Sequence, residues 1–286
     1  MPDVPEPRRA AAPIGVFDSG VGGLSVVRAL RRKLPAEDIL YLADSLHVPY
    51  GSRPLEQVRQ FATEIVHFLL GREAKLIVVA CNTASAAALH ELRARFSGVR
   101  FVGMEPAVKP AAEHTRSKVV GVLATPATFQ GKLYASVVER FASGVRVLQA
   151  TCPGLVEQIE AGELSTPETR RLLAESLQDM LAAGVDTIVL GCTHFPLVIP
   201  LIEDIAGPGV RVIDPAPAIA RQTARVLAQE NLSRPTIKDQ PISIGRLACF
   251  TTGPRDHMQA MLALLLGEAA PVQPLRWTDG RLTFAS

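Results

Sequence analysis

The sequence predicts an α/β fold made of two pseudo-symmetric lobes, each a mostly parallel sheet flanked by helices, with the functional cleft between them. Three observations carry this prediction. Short runs rich in Val, Ile and Leu alternate with stretches whose apolar residues recur every three or four positions. Those runs are apolar throughout, as expected of strands covered on both faces of a parallel sheet. The pattern IGVFDS at 14–19 also returns as VGVLAT at 120–125, setting Asp18 against Ala124 and Ser19 against Thr125. At 286 residues and 48% hydrophobic composition, the chain is long enough for two modest cores.

Taken in order, residues 1–13 are proline-rich and charged and read as a disordered tail; they lack the apolar stretch of a signal peptide. Strands are expected at 14–18, 38–43, 75–80, 99–104, 119–124, 145–150, 186–191 and 210–214. Leu24, Val27 and Leu30 form one helical stripe, and Val58, Phe61, Ile65 and Leu69 another. Leu173, Leu177 and Met180 form a third, on a helix opened by Thr166 and Pro167 and stopped by Gly184. Beyond Asp214 come a helix at 218–229, a polar linker at 231–241, a strand at 243–250, a helix at 255–266 and the short piece LRWTDGRLTFA. This last region is too short for a third doubly wound domain. The expected division is therefore a first lobe of residues 14–103 plus 211–286 and a second lobe of residues 104–210.

Composition excludes several function classes. A net charge of +2, a pI of about 8.4 and 5% aromatic residues do not make a nucleic-acid surface. The cluster Arg28, Arg31, Arg32 and Lys33 reads as the solvated last turns of a helix, where positive charge is favoured. No run approaches the ~20 apolar residues of a membrane span. The four cysteines, without a signal peptide, point to a reducing cytoplasmic compartment where thiols stay free.

Two of those cysteines occupy matching places. Cys81, Asn82 and Thr83 follow an apolar run ending at Ala80, and Cys192, Thr193 and His194 follow one ending at Gly191. In open α/β sheets, ligands bind at that end of the strands. A helix opening after the thiol would supply N–H groups that bind a carboxylate and lower the thiol pKa from about 8.5. One such cysteine reads equally well as packing; two at equivalent strand ends point to a reaction needing a base on each side of a carbon. Cys152 and Cys249 lack such a polar triplet and are assigned to packing.

The glycine turn FDSGVGGLS at 17–25 has neither dinucleotide-fingerprint spacing nor the lysine of a P-loop. It suits close backbone approach to a small anionic or zwitterionic ligand, with Asp18 fitted to an α-ammonium group or a proton relay. The loop VPYGSR at 48–53 offers Tyr50 and Gly51 to close over that ligand. His194 could serve as base or thiol partner; no metal site is expected, because neither CxxC nor HExxH spacing occurs.

The segments FDSGVGGLSV, PYGSR, VVACNTAS, GVLATPATF, GCTHFPL and VIDPA together resemble the glutamate racemases, of the cofactor-independent aspartate/glutamate racemase superfamily. The resemblance spans residues 14–252. It implies reversible interconversion of L- and D-glutamate, supply of D-glutamate for peptidoglycan, no cofactor and a homodimer. By the same resemblance, Cys81 takes the proton from D-glutamate and Cys192 from L-glutamate, supported by Asp18 and His194. Glu160 takes the place of a further acidic helper, with Glu157 as a competing choice. Asp18, Ser19, Tyr50, Gly51, Asn82, Thr83, Thr193 and His194 are the implied substrate contacts, with Thr125 and Thr128 as candidates for the carboxylate. A racemase of another acidic amino acid is the alternative within the superfamily. A non-catalytic two-lobed binder is the alternative outside it, and the paired thiols argue against that one.

Overall fold

A computed structural model describes residues 10–235 and 243–285. Among the described residues, eleven strands form two sheets: β1 (Ile14–Asp18), β2 (Ile39–Ala43), β3 (Leu76–Val79), β4 (Phe101–Gly103), β5 (Val119–Ala124), β6 (Arg146–Ala150), β7 (Thr187–Gly191), β8 (Arg211–Ile213), β9 (Leu247–Thr251), β10 (Val272–Thr278) and β11 (Arg281–Phe284). The first sheet has the order β11-β10-β9-β2-β1-β3-β4 and the second β6-β5-β7-β8. All pairings are parallel except the β10–β11 hairpin.

The weak sequence repeat corresponds to a repeat of topology. In each sheet the strand carrying the repeated motif, β1 or β5, lies between its successor and the strand that ends at a cysteine, β3 or β7. The order β2-β1-β3-β4 thus matches β6-β5-β7-β8, and β9 to β11 extend only the first sheet, beyond β2.

Strand β1 and the central strands β3 and β7 are buried along their whole length, because helices cover both faces. Leu24, Val27 and Leu30 enter the core on one side of the first sheet, and Val58, Ile65 and Leu69 that on the other. Leu173, Leu177 and Met180 do the same for the second sheet, on the helix Pro167–Ala182. That helix begins as its sequence requires: the Thr166 side chain accepts from the Thr169 N–H, and Gly184 follows its end at φ +78°.

Several expectations need correction. The second lobe runs past the expected boundary at residue 211: Arg211–Ile213 pairs with β7, so the return to the first lobe follows β8. Of the expected disordered tail, residues 1–9 lie outside the described residues, whereas residues 10–13 are tied down. The Lys75 N–H donates to the Pro13 carbonyl at 2.9 Å and Lys75 Nζ to the Ala10 carbonyl at 2.6 Å. Of the linker expected at 231–241, residues 236–241 lie outside the described residues. The strand expected from 243 starts at Leu247, because Gly245 lies against the Glu37 carbonyl and does not join a ladder. No helix among the described residues is long and apolar enough to cross a membrane.

Candidate active site

The carboxyl ends of β1, β3, β5 and β7 face one another across a narrow cleft. Ser19, Tyr50, Gly51, Cys81, Asn82, Thr83, Thr125, Thr193, His194 and Cys192 all line it. Both strand-end thiols therefore open onto one space, one from each sheet.

Cys81 is the N-cap of the helix Asn82–Arg95, and its Sγ accepts from the Ala84 N–H at 3.4 Å. The positive end of that helix points into the cavity, which favours a carboxylate there. Behind the thiol stands Asp18, fully buried. Its Oδ2 accepts from the Gly23 N–H at 2.7 Å and its Oδ1 from the Thr193 hydroxyl at 3.3 Å. Burial raises the Asp18 carboxyl above its ordinary range, against the charge of His194 and the N–H groups of Ser19 and Gly23. Burial, and then the charge of Asp18, push the Cys81 thiol well above its ordinary range.

The second face is built differently. An α-helix start is expected after Cys192, but Thr193 and His194 lead into the 3₁₀ turn Phe195–Val198, and the α-helix begins only at Ile199–Ala206, with Pro200 in its first turn. A ring supplies the polarity instead: His194 Nδ1 lies 3.8 Å from Cys192 Sγ, and its Nε2 lies 2.6 Å from Glu160 Oε1. Burial disfavours the charged ring, yet the bonds to Cys192 and Glu160 outweigh it and hold His194 well above the ordinary imidazole range. Burial likewise opposes the charge on Glu160, but the bond to His194, together with the Val21 N–H at 2.7 Å, holds its carboxyl below the ordinary range. Glu157, the competing acid, is exposed one helical turn away.

Asn82 sits between these faces with its side chain buried, and neither its Nδ2 nor its Oδ1 has a partner among the described residues. A buried amide without partners is costly, so it marks where a polar ligand belongs.

The lobes meet at several points around this space. Thr83 and Thr125 hydroxyls lie 2.9 Å apart, and the Ser25 hydroxyl donates to the Thr193 carbonyl at 3.1 Å. Glycine is required where the other lobe presses close. A Cβ on Gly20 would stand 1.9 Å from Glu160 Oε1, and one on Gly51 2.7 Å from Thr125 Cβ.

Two expected substrate contacts lie outside the wall of this cleft. Asp18, expected to touch substrate, stands behind Cys81 and outside the cavity wall, because both its oxygens are engaged internally. Thr128 is likewise outside the wall and bonds to Thr125 at 3.0 Å. Glu160, expected as an acidic helper, reaches the site through His194. Sequence reasoning missed Pro49 and Val156, which line the cavity. Val156 was open to inference, since it lies one turn before Glu160 on the same helix face. Cys152 and Cys249 are buried in apolar clusters, and burial pushes Cys249 up to about 12.

Comparison with known proteins agrees with this architecture. The family model described as Asp/Glu/Hydantoin racemase matches residues 14–223. A glutamate racemase from Roseiflexus sp. is 53% identical over 245 residues, covering 86% of this chain and 89% of that protein. The crystal structure of glutamate racemase isoform RacE1 from Bacillus anthracis superposes with a TM-score of 0.83 at 30% identity, covering 96% of this chain and 100% of that one. The glutamate racemase of Francisella tularensis, solved in complex with D-glutamate, superposes with a TM-score of 0.79 at 29% identity, covering 93% and 97%. With matching strand-end thiols, and with similarity extending over nearly the whole folded chain, the protein belongs to the Asp/Glu/Hydantoin racemase family.

Proposed function

We infer that this enzyme interconverts L- and D-glutamate by passing a proton across the α-carbon between two thiols. The observation that carries the reading is the placement of Cys81 and Cys192 at equivalent strand ends of two sheets, both lining one narrow cleft. The high-identity relative named a glutamate racemase and the D-glutamate held by the Francisella protein support glutamate as substrate.

In the L-to-D direction Cys192 removes the α-proton and Cys81 returns one from the opposite face. Microscopic reversal runs the other direction. The His194–Glu160 pair supports Cys192 as its charge changes, and Asp18 does so for Cys81. The partnerless Asn82 amide, the hydroxyls of Ser19, Thr83, Thr125 and Thr193, and the start of helix Asn82–Arg95 hold the substrate's charged ends. Exclusion of water by the closed lobes strengthens these interactions. The reading also assigns the enzyme to the cytoplasm, as a homodimer supplying D-glutamate for peptidoglycan.

Incubation with L-glutamate in deuterated water, without pyridoxal phosphate, tests the reading. D-glutamate carrying α-deuterium is expected. Failure to form it, or equal turnover of aspartate, would overturn the assignment of substrate.

A further inference from the structure

Asp44, the first residue after β2, is fully buried and does not line the cavity. Its carboxylate nevertheless gathers four groups from three separate parts of the chain. Oδ2 accepts from the Tyr50 hydroxyl at 2.6 Å and lies 2.9 Å from His47 Nδ1, both in the loop after β2. Oδ1 accepts from the Thr252 hydroxyl at 2.8 Å, just past β9, and from Trp277 Nε1 at 2.8 Å, on β10. An ionised carboxylate offers about four acceptor positions and no donor, so this one is fully used. The aromatic rings around it are packed together: His47 stacks on Phe61 at 3.9 Å, and Trp277 lies 5.4 Å from Phe61. Tyr50 and Gly51 form a wall of the cavity, and Gly51 is also where Thr125 of the second lobe presses close.

We propose that Asp44 is a positioning residue that fixes the Tyr50–Gly51 wall against substrate and ties the C-terminal hairpin to that wall through Trp277. Resting on the racemase reading, this role belongs to binding and not to proton transfer, since no atom of Asp44 reaches the cavity. An amide at this position keeps the shape but turns two N–H groups toward groups that themselves donate, so the wall loses its anchor.

The test compares Asp44→Asn and Trp277→Phe with wild type, with folding checked by circular dichroism. Asp44→Asn is expected to raise KM for both enantiomers about tenfold while kcat stays within about threefold, the pattern of lost uniform binding. Trp277→Phe, which removes one of the four bonds, is expected to raise KM about threefold. Trp277 is also the single tryptophan of the chain, so its emission reports on the anchor directly. D-glutamate is expected to shift it in wild type and not in Asp44→Asn. A folded Asp44→Asn enzyme with wild-type KM overturns the proposal. So does a large loss of kcat at unchanged KM. If Asp44→Asn does not fold, Trp277→Phe decides, and an unchanged KM counts against the anchor. Wild-type turnover in the same assay tests the racemase reading separately.

Discussion

The two faces of the cavity share a strand order but not a chemistry. On one, Cys81 caps a helix and sits in front of Asp18, and burial with a neighbouring negative charge pushes its thiol pKa up. On the other, Cys192 has no helix start directly behind it but has an imidazole held in its charged form by Glu160. A reaction whose two end states are mirror images is thus served by unlike surroundings. Topology supplies the mirror relation of the thiols, while the polar surroundings of each are its own. Only the first is inherited from the repeat, because Glu160 comes from a helix of the second lobe whose carboxylate reaches into the first-lobe glycine turn.

The largest expected effect would break the comparison outright. Cys81→Ser and Cys192→Ser should each lower inversion by about 10³-fold, in the range of a lost acid–base group, without changing circular dichroism. Their residual chemistry should differ: Cys81→Ser should still exchange the α-proton of L-glutamate in deuterated water, and Cys192→Ser that of D-glutamate. NMR of each enantiomer measures this, and inversion at the wild-type rate in either variant would sink the two-base assignment.

Next in size is Glu160→Gln, which should lower kcat/KM about 30-fold by leaving His194 without its charged partner. It should also move the alkaline limb of the pH–rate profile to lower pH. His194 is raised above its unfolded value near 6.5, so its share of stability is complete below that pH and lost as pH rises through the folded value. Glu160 is lowered below 4.5, so its share is present above that pH and lost as pH falls through its folded value. The pair therefore holds between those limits, and thermal melts against pH should show both losses shrink in Glu160→Gln.

Asp18→Asn sharpens the comparison on the other face. Removing the neighbouring negative charge should lower the pKa of Cys81, visible as thiolate absorbance appearing at lower pH than in the wild type. The same substitution should leave the His194 titration much closer to wild type than Glu160→Gln does. The smallest effect is expected from Gly51→Ala, whose added methyl meets Thr125 across the lobe boundary and should raise KM several-fold with little change in kcat.

Much of this was readable from the chain. Continuous apolar runs marked β1 to β9, and the turn chemistry of Thr166, Pro167 and Gly184 marked its helix at both ends. The thiols and their polar neighbours were visible because they lie next to one another in sequence. What escaped depends on pairing at a distance. The piece LRWTDGRLTFA becomes strands only by joining β9 and folding back on itself, so its half-buried pattern gave little warning. Strand β8 looks like any other short run until it is seen to extend β7. Asp44 resembles an ordinary acid at a strand end, because its four partners lie as far away as Trp277.

The chain passes from the first sheet to the second after β4 and returns after β8. The helix entered on return, Ala216–Gln229, packs against both β4 and the helix Leu24–Lys33, so the two passages run side by side. Two neighbouring tethers allow one body to swing on another about the line joining them but resist twisting and sliding. Substrate entry to the narrow cleft would then call for a door-like swing, with the Thr83–Thr125 and Val21–Glu160 contacts as its latches. Each closure would return the two sulfur atoms to the same separation, a reproducibility that proton transfer between fixed thiols demands.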